Sequence, residues 1–289
     1  MGGLGPSGSG QLRWWCWLCL SSAVLAGIAS AALGRDAIGG PGEPTLEGEL
    51  ASPGHGPNVS VISDVPSYLW YHGCGPTSAG MIIGYWDAHG FGNLIPGSND
   101  WSSNQQAVKD MIASPGHVRD YVPTPDRIPT PEDPYHADDC VADFCLCSRD
   151  PLEYGWSGYR AQDEGLAGYA EYCGYVGSTA RNVSLNYLWD ELVVAIDAAE
   201  PCQFLVDTDG NGGTDHFITV IGYDSTPGDR KYACYNTWDH GVHWFAYQHI
   251  GIDRPWGIFG GTFFQPVPEP AMLMPLTLLL GLLRRRRSC

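Results

Sequence analysis

Two periodicities divide the chain. Between Gly75 and His89, small and apolar residues surround the helical wheel, which predicts a helix buried on every side. Between Ser184 and Ala199, Leu185, Leu188, Leu192 and Ile196 recur at helical spacing behind Ser184, a residue suited to the N-cap. Ser103 to Ala113, with Ala107, Met111 and Ile112 facing inward, and Arg160 to Cys173 are further predicted helices. Val59 to Val65 reads as a short strand ahead of the first helix. From Gln203 onward the pattern turns to β, with candidate strands Gln203 to Asp207, His216 to Tyr223, Lys231 to Tyr235, His243 to Tyr247 and Trp256 to Phe264. Helices first and antiparallel strands after is an α+β order.

The 289 residues suffice for one sizeable core with both ends left over. Arg13 precedes an apolar stretch, Trp14 to Ala26, and then the small-residue pattern Ala29-Ser30-Ala31, so residues 1–31 read as a secretory signal. Residues 32–58, rich in Gly, Pro and Glu without periodicity, read as a disordered linker. The folded domain is expected over 59–265, with an insertion at 115–158 that holds seven prolines, an acidic cluster (Asp138, Asp139, Asp143) and Cys140, Cys145 and Cys147. In the last segment, 266–289, Val267-Pro268-Glu269-Pro270 precedes an apolar run from Ala271 to Leu283 and then four arginines. Thirteen residues make about 20 Å of helix against about 30 Å of bilayer core. This tripartite tail resembles the PEP-CTERM sorting signal. The resemblance implies transient membrane insertion, an exosortase-type machinery as partner and a place in the cell envelope or outside it.

Setting aside Arg13, Glu269 and the terminal arginines from 15 basic and 32 acidic residues leaves 10 and 31, a net charge of −21. That balance argues against nucleic acid or anionic lipid as partners.

The chemistry concentrates at Gly73-Cys74-Gly75-Pro76-Thr77-Ser78. A cysteine between glycines, followed by proline and the first predicted helix, stands where unpaired N–H groups and the helix dipole lower a thiol pKa. Downstream, Asp215-His216-Phe217 opens a predicted strand, and Asn236-Thr237-Trp238-Asp239 follows the next one. Cys, then His, then Asn in that chain order, with these flanking residues, resembles the papain-like cysteine peptidases related to the bacteriocin-processing enzymes, over roughly Val65 to Phe264. The resemblance implies an α+β papain-like fold, a peptide or protein substrate, no required cofactor, and acyl transfer. In that chemistry Cys74 is nucleophile, His216 general base and Asn236 the residue orienting the imidazole, with Asp239 the alternative. The indole of Trp238 is expected to shield the base. Such enzymes usually carry an oxyanion-binding glutamine six residues before the nucleophile. Here that position is Tyr68, so Tyr68 or Trp70 is expected to supply the second donor. The competing reading is a catalytically weak or inactive surface or binding protein on the same fold.

Without the signal and the tail, seven cysteines remain: Cys74 and six others, Cys140, Cys145, Cys147, Cys173, Cys202 and Cys234. An oxidising compartment and the even remainder predict three disulfides among the six; zinc at Cys140, Cys145 and Cys147 is the lesser alternative. Finally, Asp207, Asp209 and Asn211, with Asp215, begin like a calcium loop, but Ile218 stands where a full loop needs glutamate. A partial calcium turn directly before His216, or a polar hairpin, is the expectation.

Overall fold

The computed structural model describes residues 37–40, 42–43, 45–97, 100–121, 127–149 and 151–268; the secretory signal and the apolar run of the tail lie outside them. Six helices are described: α1 (Cys74–Ala88), α2 (Gln106–Ile112), α3 (Pro115–Tyr121), α4 (Val141–Phe144), α5 (Arg160–Tyr172) and α6 (Leu185–Asp197). The strands are β1 (Ile38–Gly39), β2 (Val59–Val61), β3 (Ser157–Gly158), β4 (Thr179–Ser184), β5 (Cys202–Asp207), β6 (His216–Asp224), β7 (Lys231–Tyr235), β8 (His243–Ala246) and β9 (Gly257–Gln265). No described helix is long and apolar enough to cross a membrane.

A seven-stranded antiparallel sheet runs in the order β4-β9-β5-β6-β7-β8. β2 pairs with the far end of β6, from Asp224 to Gly222, beyond the point where β5 stops opposite Val220. β5 and β6 are buried along their whole length, which is why they are written as near-continuous apolar runs. Alternation divides their side chains: Phe204, Val206, Ile218 and Val220 join α6, through Leu188, Leu192 and Ile196, in one cluster. Leu205 and Phe217 point the other way and meet Cys74. Beside them α1, α2, α4 and α5 form a second cluster around Met81, Ile82, Ile83, Met111 and Leu166. Helices on one sheet in this order are the α+β architecture that the periodicities predict.

Two expectations need correction. The stretch 37–58 is ordered wherever it is described: β1 pairs with β3, Leu50 bridges to Trp244, and Thr45 O accepts the Trp256 indole N–H at 3.0 Å. Its main-chain groups pair with neighbouring edges, an interaction that low hydrophobicity does not report. Nor are there disulfides, since all seven described cysteines are free thiols. Cys202 and Cys234 both stand opposite Val220, on either side of β6. Two strand spacings put their Cα atoms about 10 Å apart, beyond the reach of a disulfide of about 7 Å. Cys140 and Cys145 flank opposite ends of α4, and Cys173 turns toward Leu94 O.

α1 crosses its neighbours closely at Gly84, where a Cβ would lie 2.2 Å from Tyr68 Oη and 3.0 Å from Pro66 Cγ. Gly84→Ala is therefore expected to lower stability by about 1–3 kcal/mol through overpacking, read as a shifted urea midpoint. Tyr68→Phe, which removes a buried hydroxyl without a partner, should leave the midpoint level or raise it.

Candidate active site

Cys74 is the first residue of α1, and the chain reaches it through two residues of positive φ, His72 at 55° and Gly73 at 146°. Only glycine fits the second position, because a Cβ there would meet Cys147 Sγ at 2.6 Å. Thr77 closes the turn: its hydroxyl donates to Gly73 O at 2.6 Å and accepts the Tyr71 N–H at 3.0 Å. Pro76 is the third helical residue, still within the turn whose N–H groups have no helical acceptor. The sheet then grips this turn. Gln203 Nε2 donates to Gly75 O at 3.0 Å and to Ser78 Oγ at 2.7 Å, and Thr219 Oγ1 donates to Ser78 O at 2.9 Å.

The thiol thereby meets the main chain one residue after the proposed base. Phe217 N–H, in the residue after His216, donates to Cys74 Sγ at 3.5 Å. Sγ in turn donates to Gly40 O at 3.7 Å. His216 Nε2 lies 2.7 Å from Asn236 O, so this nitrogen carries the proton and Nδ1 keeps its lone pair. Nδ1 is buried without a hydrogen-bond partner. Trp238 stacks on the imidazole at 6.1 Å and on Trp70 at 5.6 Å, forming the expected apolar shield.

Burial decides the charge state. It pushes the Cys74 thiol up to about 12, opposed by the Phe217 amide and helped by the neighbouring Cys147 and Asp215. It lowers His216 to about 4, opposed by the Asn236 carbonyl. The expected depression of the thiol pKa by the helix terminus is overridden, because loss of water around a fully buried sulfur outweighs the amides that face it. In this conformation the pair is neutral thiol and neutral imidazole.

The orienting groups differ from expectation. Asn236 meets His216 through its main-chain carbonyl; its side chain instead caps the following turn, Oδ1 accepting Trp238 N–H at 2.9 Å and Asp239 N–H at 3.1 Å. Asp239 lies beside a different histidine, with Oδ1 2.9 Å from His243 Nε2, while Glu49 faces His243 Nδ1 at 2.7 Å. Tyr68 packs against Gly84, more than two turns along α1, and is removed from the thiol. Trp70 packs against the Cys74–Leu205–Phe217 cluster, and its buried indole Nε1 has no acceptor.

Two other constellations gather ligand-type atoms. Asp207, Asp209 and Asp215 offer oxygens within 4.8 Å of one another. Asp207 Oδ1 accepts the Gly210 and Asn211 amides, its Oδ2 accepts that of Gly212, and Asp215 is held by Thr208. Burial raises both Asp207 and Asp215, helped at Asp207 by its hydrogen bond with Asp209 and at Asp215 by the charges of Asp207 and Asp209.

The insertion holds a second group, around buried Asp143, to which sequence reasoning assigned neither His117 nor His136. Its carboxylate lies 2.8 Å from His117 Nδ1 and 3.0 Å from His136 Nε2, and accepts from Cys140 Sγ and Arg149, each at 3.0 Å. These contacts hold it well below the usual carboxylate range despite burial. Cys140, Cys145 and Cys147 do not converge: Cys145 lies against Gly165, and Cys147 donates to His72 O at 3.3 Å. His117 and His136 lie 23 and 4 residues from Cys140, and no spacing rule joins them to it.

The burial of neutral His216 predicts a pH dependence. Below its unfolded pKa near 6.5 the unfolded chain takes up a proton that the folded chain refuses until about pH 4. Its contribution to stability is therefore full above pH 6.5 and is lost as the pH falls toward 4, on the order of 3 kcal/mol at the limit. Urea titrations at pH 7 and pH 5 should show this loss for the wild type and a flatter response for His216→Gln; equal slopes would contradict it.

No protein-family model matches the chain, and no curated protein matches it. Among solved structures it is similar to a C39-like peptidase from Bacillus anthracis, at 14% identity and a TM-score of 0.37, over 73% of this chain and 99% of that one. It is also similar to digestive procathepsin L 3 of Tenebrio molitor larval midgut, at 14% identity and a TM-score of 0.32, over 86% of this chain and 88% of the other.

Proposed function

We propose that the protein is an exported papain-like cysteine peptidase that hydrolyses peptide or amide bonds through Cys74 and His216. The observation that supports this most is one juxtaposition. A cysteine opens a buried helix, its sulfur lies 3.5 Å from the amide next to a strand-borne histidine, and that histidine keeps Nδ1 free while Nε2 is anchored. Cys74 gives its proton to His216 Nδ1 and attacks the carbonyl carbon. The tetrahedral oxyanion is received by the Cys74 N–H and the Trp70 indole N–H, which replaces the usual glutamine. The imidazolium then protonates the departing amine, and water, deprotonated by the same imidazole, releases the acid from the thioester. The Asn236 carbonyl fixes the imidazole tautomer, and its side chain holds Trp238 over the ring. The signal-like N-terminal stretch and the PEP-CTERM-like tail support a place in the envelope or outside the cell.

The competing reading is a binding protein on this fold. It is favoured by the absence of a Cys74–His216 hydrogen bond among the described contacts and by the neutral state of both groups. Hydrolysis of a mixed peptide library separates the two. Cys74→Ala and His216→Ala should each lower turnover by a factor on the order of 10³ or more. Trp70→Phe should lower kcat by about 10²–10³ with little change in KM. Turnover untouched by Cys74→Ala would discard the peptidase reading.

Calcium at Asp207, Asp209 and Asp215, beside Asn211, belongs to the same proposal, since three carboxylates with oxygens within 4.8 Å of one another are a donor set that a cation would bridge. Millimolar calcium should raise the melting temperature of the wild type, and Asp209→Ala should abolish the rise. An unmoved wild-type midpoint would leave a self-capped polar hairpin.

A further inference from the structure

We propose that the insertion carries a structural zinc site formed by His117, His136, Cys140 and Asp143, an ion that ties α3 to α4. The proposal is independent of the reading of Cys74.

Metal-type donor atoms converge here from three pieces of chain. His117 lies in α3, where its main-chain N–H donates to Ser114 Oγ at 3.1 Å. His136 lies on the stretch leading to α4, whose described residues, 127–140, form neither helix nor strand. Cys140 is the N-cap of α4 and Asp143 its third residue, so the spacing Cys-x2-Asp brackets one turn. One ligand atom each from His117, Cys140 and Asp143 falls within 4.8 Å of the others, and all three residues are buried. A tetrahedral zinc site spaces its donors by about 3.3–3.8 Å, so the trio closes on an ion with a small inward shift. His136 supplies the fourth ligand, its Nε2 standing 3.0 Å from Asp143 Oδ2.

The arrangement of hydrogen bonds favours a cation. Five donors crowd one carboxylate: His117 Nδ1 and Arg149 at Oδ1, and His136 Nε2, Cys140 Sγ and the Asp139 N–H at Oδ2. Two imidazoles and a thiol thus aim at the same pair of oxygens, and a divalent ion among them would satisfy all three. His117 Nε2 is buried with no hydrogen-bond partner among the described residues, so hydrogen bonding alone leaves that ring unsatisfied. His136 Nδ1 lies 2.7 Å from Asp120 Oδ2, the carboxylate–histidine pairing that turns the opposite ring nitrogen toward a metal. Arg149, donating to Asp143 Oδ1 at 3.0 Å, holds that carboxylate in the same way and leaves Oδ2 for the ion.

The donor set selects the metal. Two imidazoles, a thiolate and a carboxylate suit zinc, whereas calcium and magnesium take oxygen ligands. Charge balances as the ion enters: Cys140 releases its thiol proton to solvent, the imidazoles bind through lone pairs, and thiolate and carboxylate together cancel the dication. Arg149 keeps Asp138 as its counter-charge. All seven described cysteines are free thiols, so zinc would supply the cross-link that disulfides do not.

The test is titration of the full chain, stripped with EDTA and dialysed, first with cobalt(II) and then with zinc(II). Cobalt should bind stoichiometrically and give the thiolate charge-transfer band in the near ultraviolet with the intense visible bands of tetrahedral coordination; zinc should bleach both. Cys140→Ser should abolish the charge-transfer band, while Cys145→Ser and Cys147→Ser should keep it. His136→Gln should weaken zinc affinity at least tenfold, and it decides the matter if Cys140→Ser does not fold. Zinc should also raise the melting temperature of the wild type and leave that of a folded Cys140→Ser unmoved. Absence of stoichiometric binding by the wild type, a cobalt spectrum without the sulfur band, a band that survives Cys140→Ser, or wild-type zinc affinity in His136→Gln would each overturn the proposal.

Discussion

The grip of two buried polar side chains on the first turn of α1 is the interaction on which the rest of the site depends. Gln203 and Thr219 stand on neighbouring central strands and reach the carbonyls of Gly75 and Ser78 and the Ser78 hydroxyl. Their partners lie in an apolar interior, where an unpaired amide or hydroxyl costs about 1–3 kcal/mol, so the helix start has one acceptable position on the sheet. That position sets Cys74 Sγ against the Phe217 amide, one residue after His216. A helix packed by apolar contacts alone can slide or rotate by a fraction of a turn with little penalty. Directional bonds at its first turn remove that freedom.

The same burial that fixes the geometry suppresses the chemistry. A thiol raised to about 12 and an imidazole lowered to about 4 will not form an ion pair while water is excluded. Both shifts have desolvation as their largest cause, with Ala37, Trp70 and Tyr159 packed around the thiol's cluster and Trp238 over the imidazole. Removing that cover would let water reach both groups and reduce both penalties together. The charge state of the pair is therefore set by the access of water, whereas the helix dipole acts in either state.

Much of this was legible in the residues. The all-round apolar α1, the continuous apolar β5 and β6, and the Cys-His order follow from rules of period and spacing, and each element lies within a few residues of its expected bounds. What was not legible is carried by the main chain. β1 pairs through amides that any sequence possesses, and its two glycines read equally well as linker. Asn236 was found by its side chain, yet it serves His216 through a carbonyl that any residue there would offer. β4 was missed because Arg181 and Asn182 stand on a half-exposed edge next to β9, where burial writes only a weak alternation. Cysteine parity suggested bridges, but only the register places β6 between Cys202 and Cys234.

The insertion shows how these parts join. Its hub, Asp143, is a buried carboxylate whose isolation would be costly, and it is tolerated because His117, His136, Cys140 and Arg149 surround it with hydrogen bonds. The hub ties His117 of α3 and His136 to α4, and the turn after α4 brings Cys147 against Gly73 and His72 O, immediately before the nucleophile. A few residues on, Tyr154 meets His72 Nδ1 through its hydroxyl at 2.9 Å and Trp70 edge-on, and Ser157 pairs with Gly39 of β1. One proline-rich excursion therefore braces the turn before Cys74, the indole proposed to face the oxyanion and the edge that holds Ala37–Gly40. Loosening the insertion would therefore disturb the turn before the nucleophile and the support of the indole together, because Cys147 and Tyr154 both hold His72.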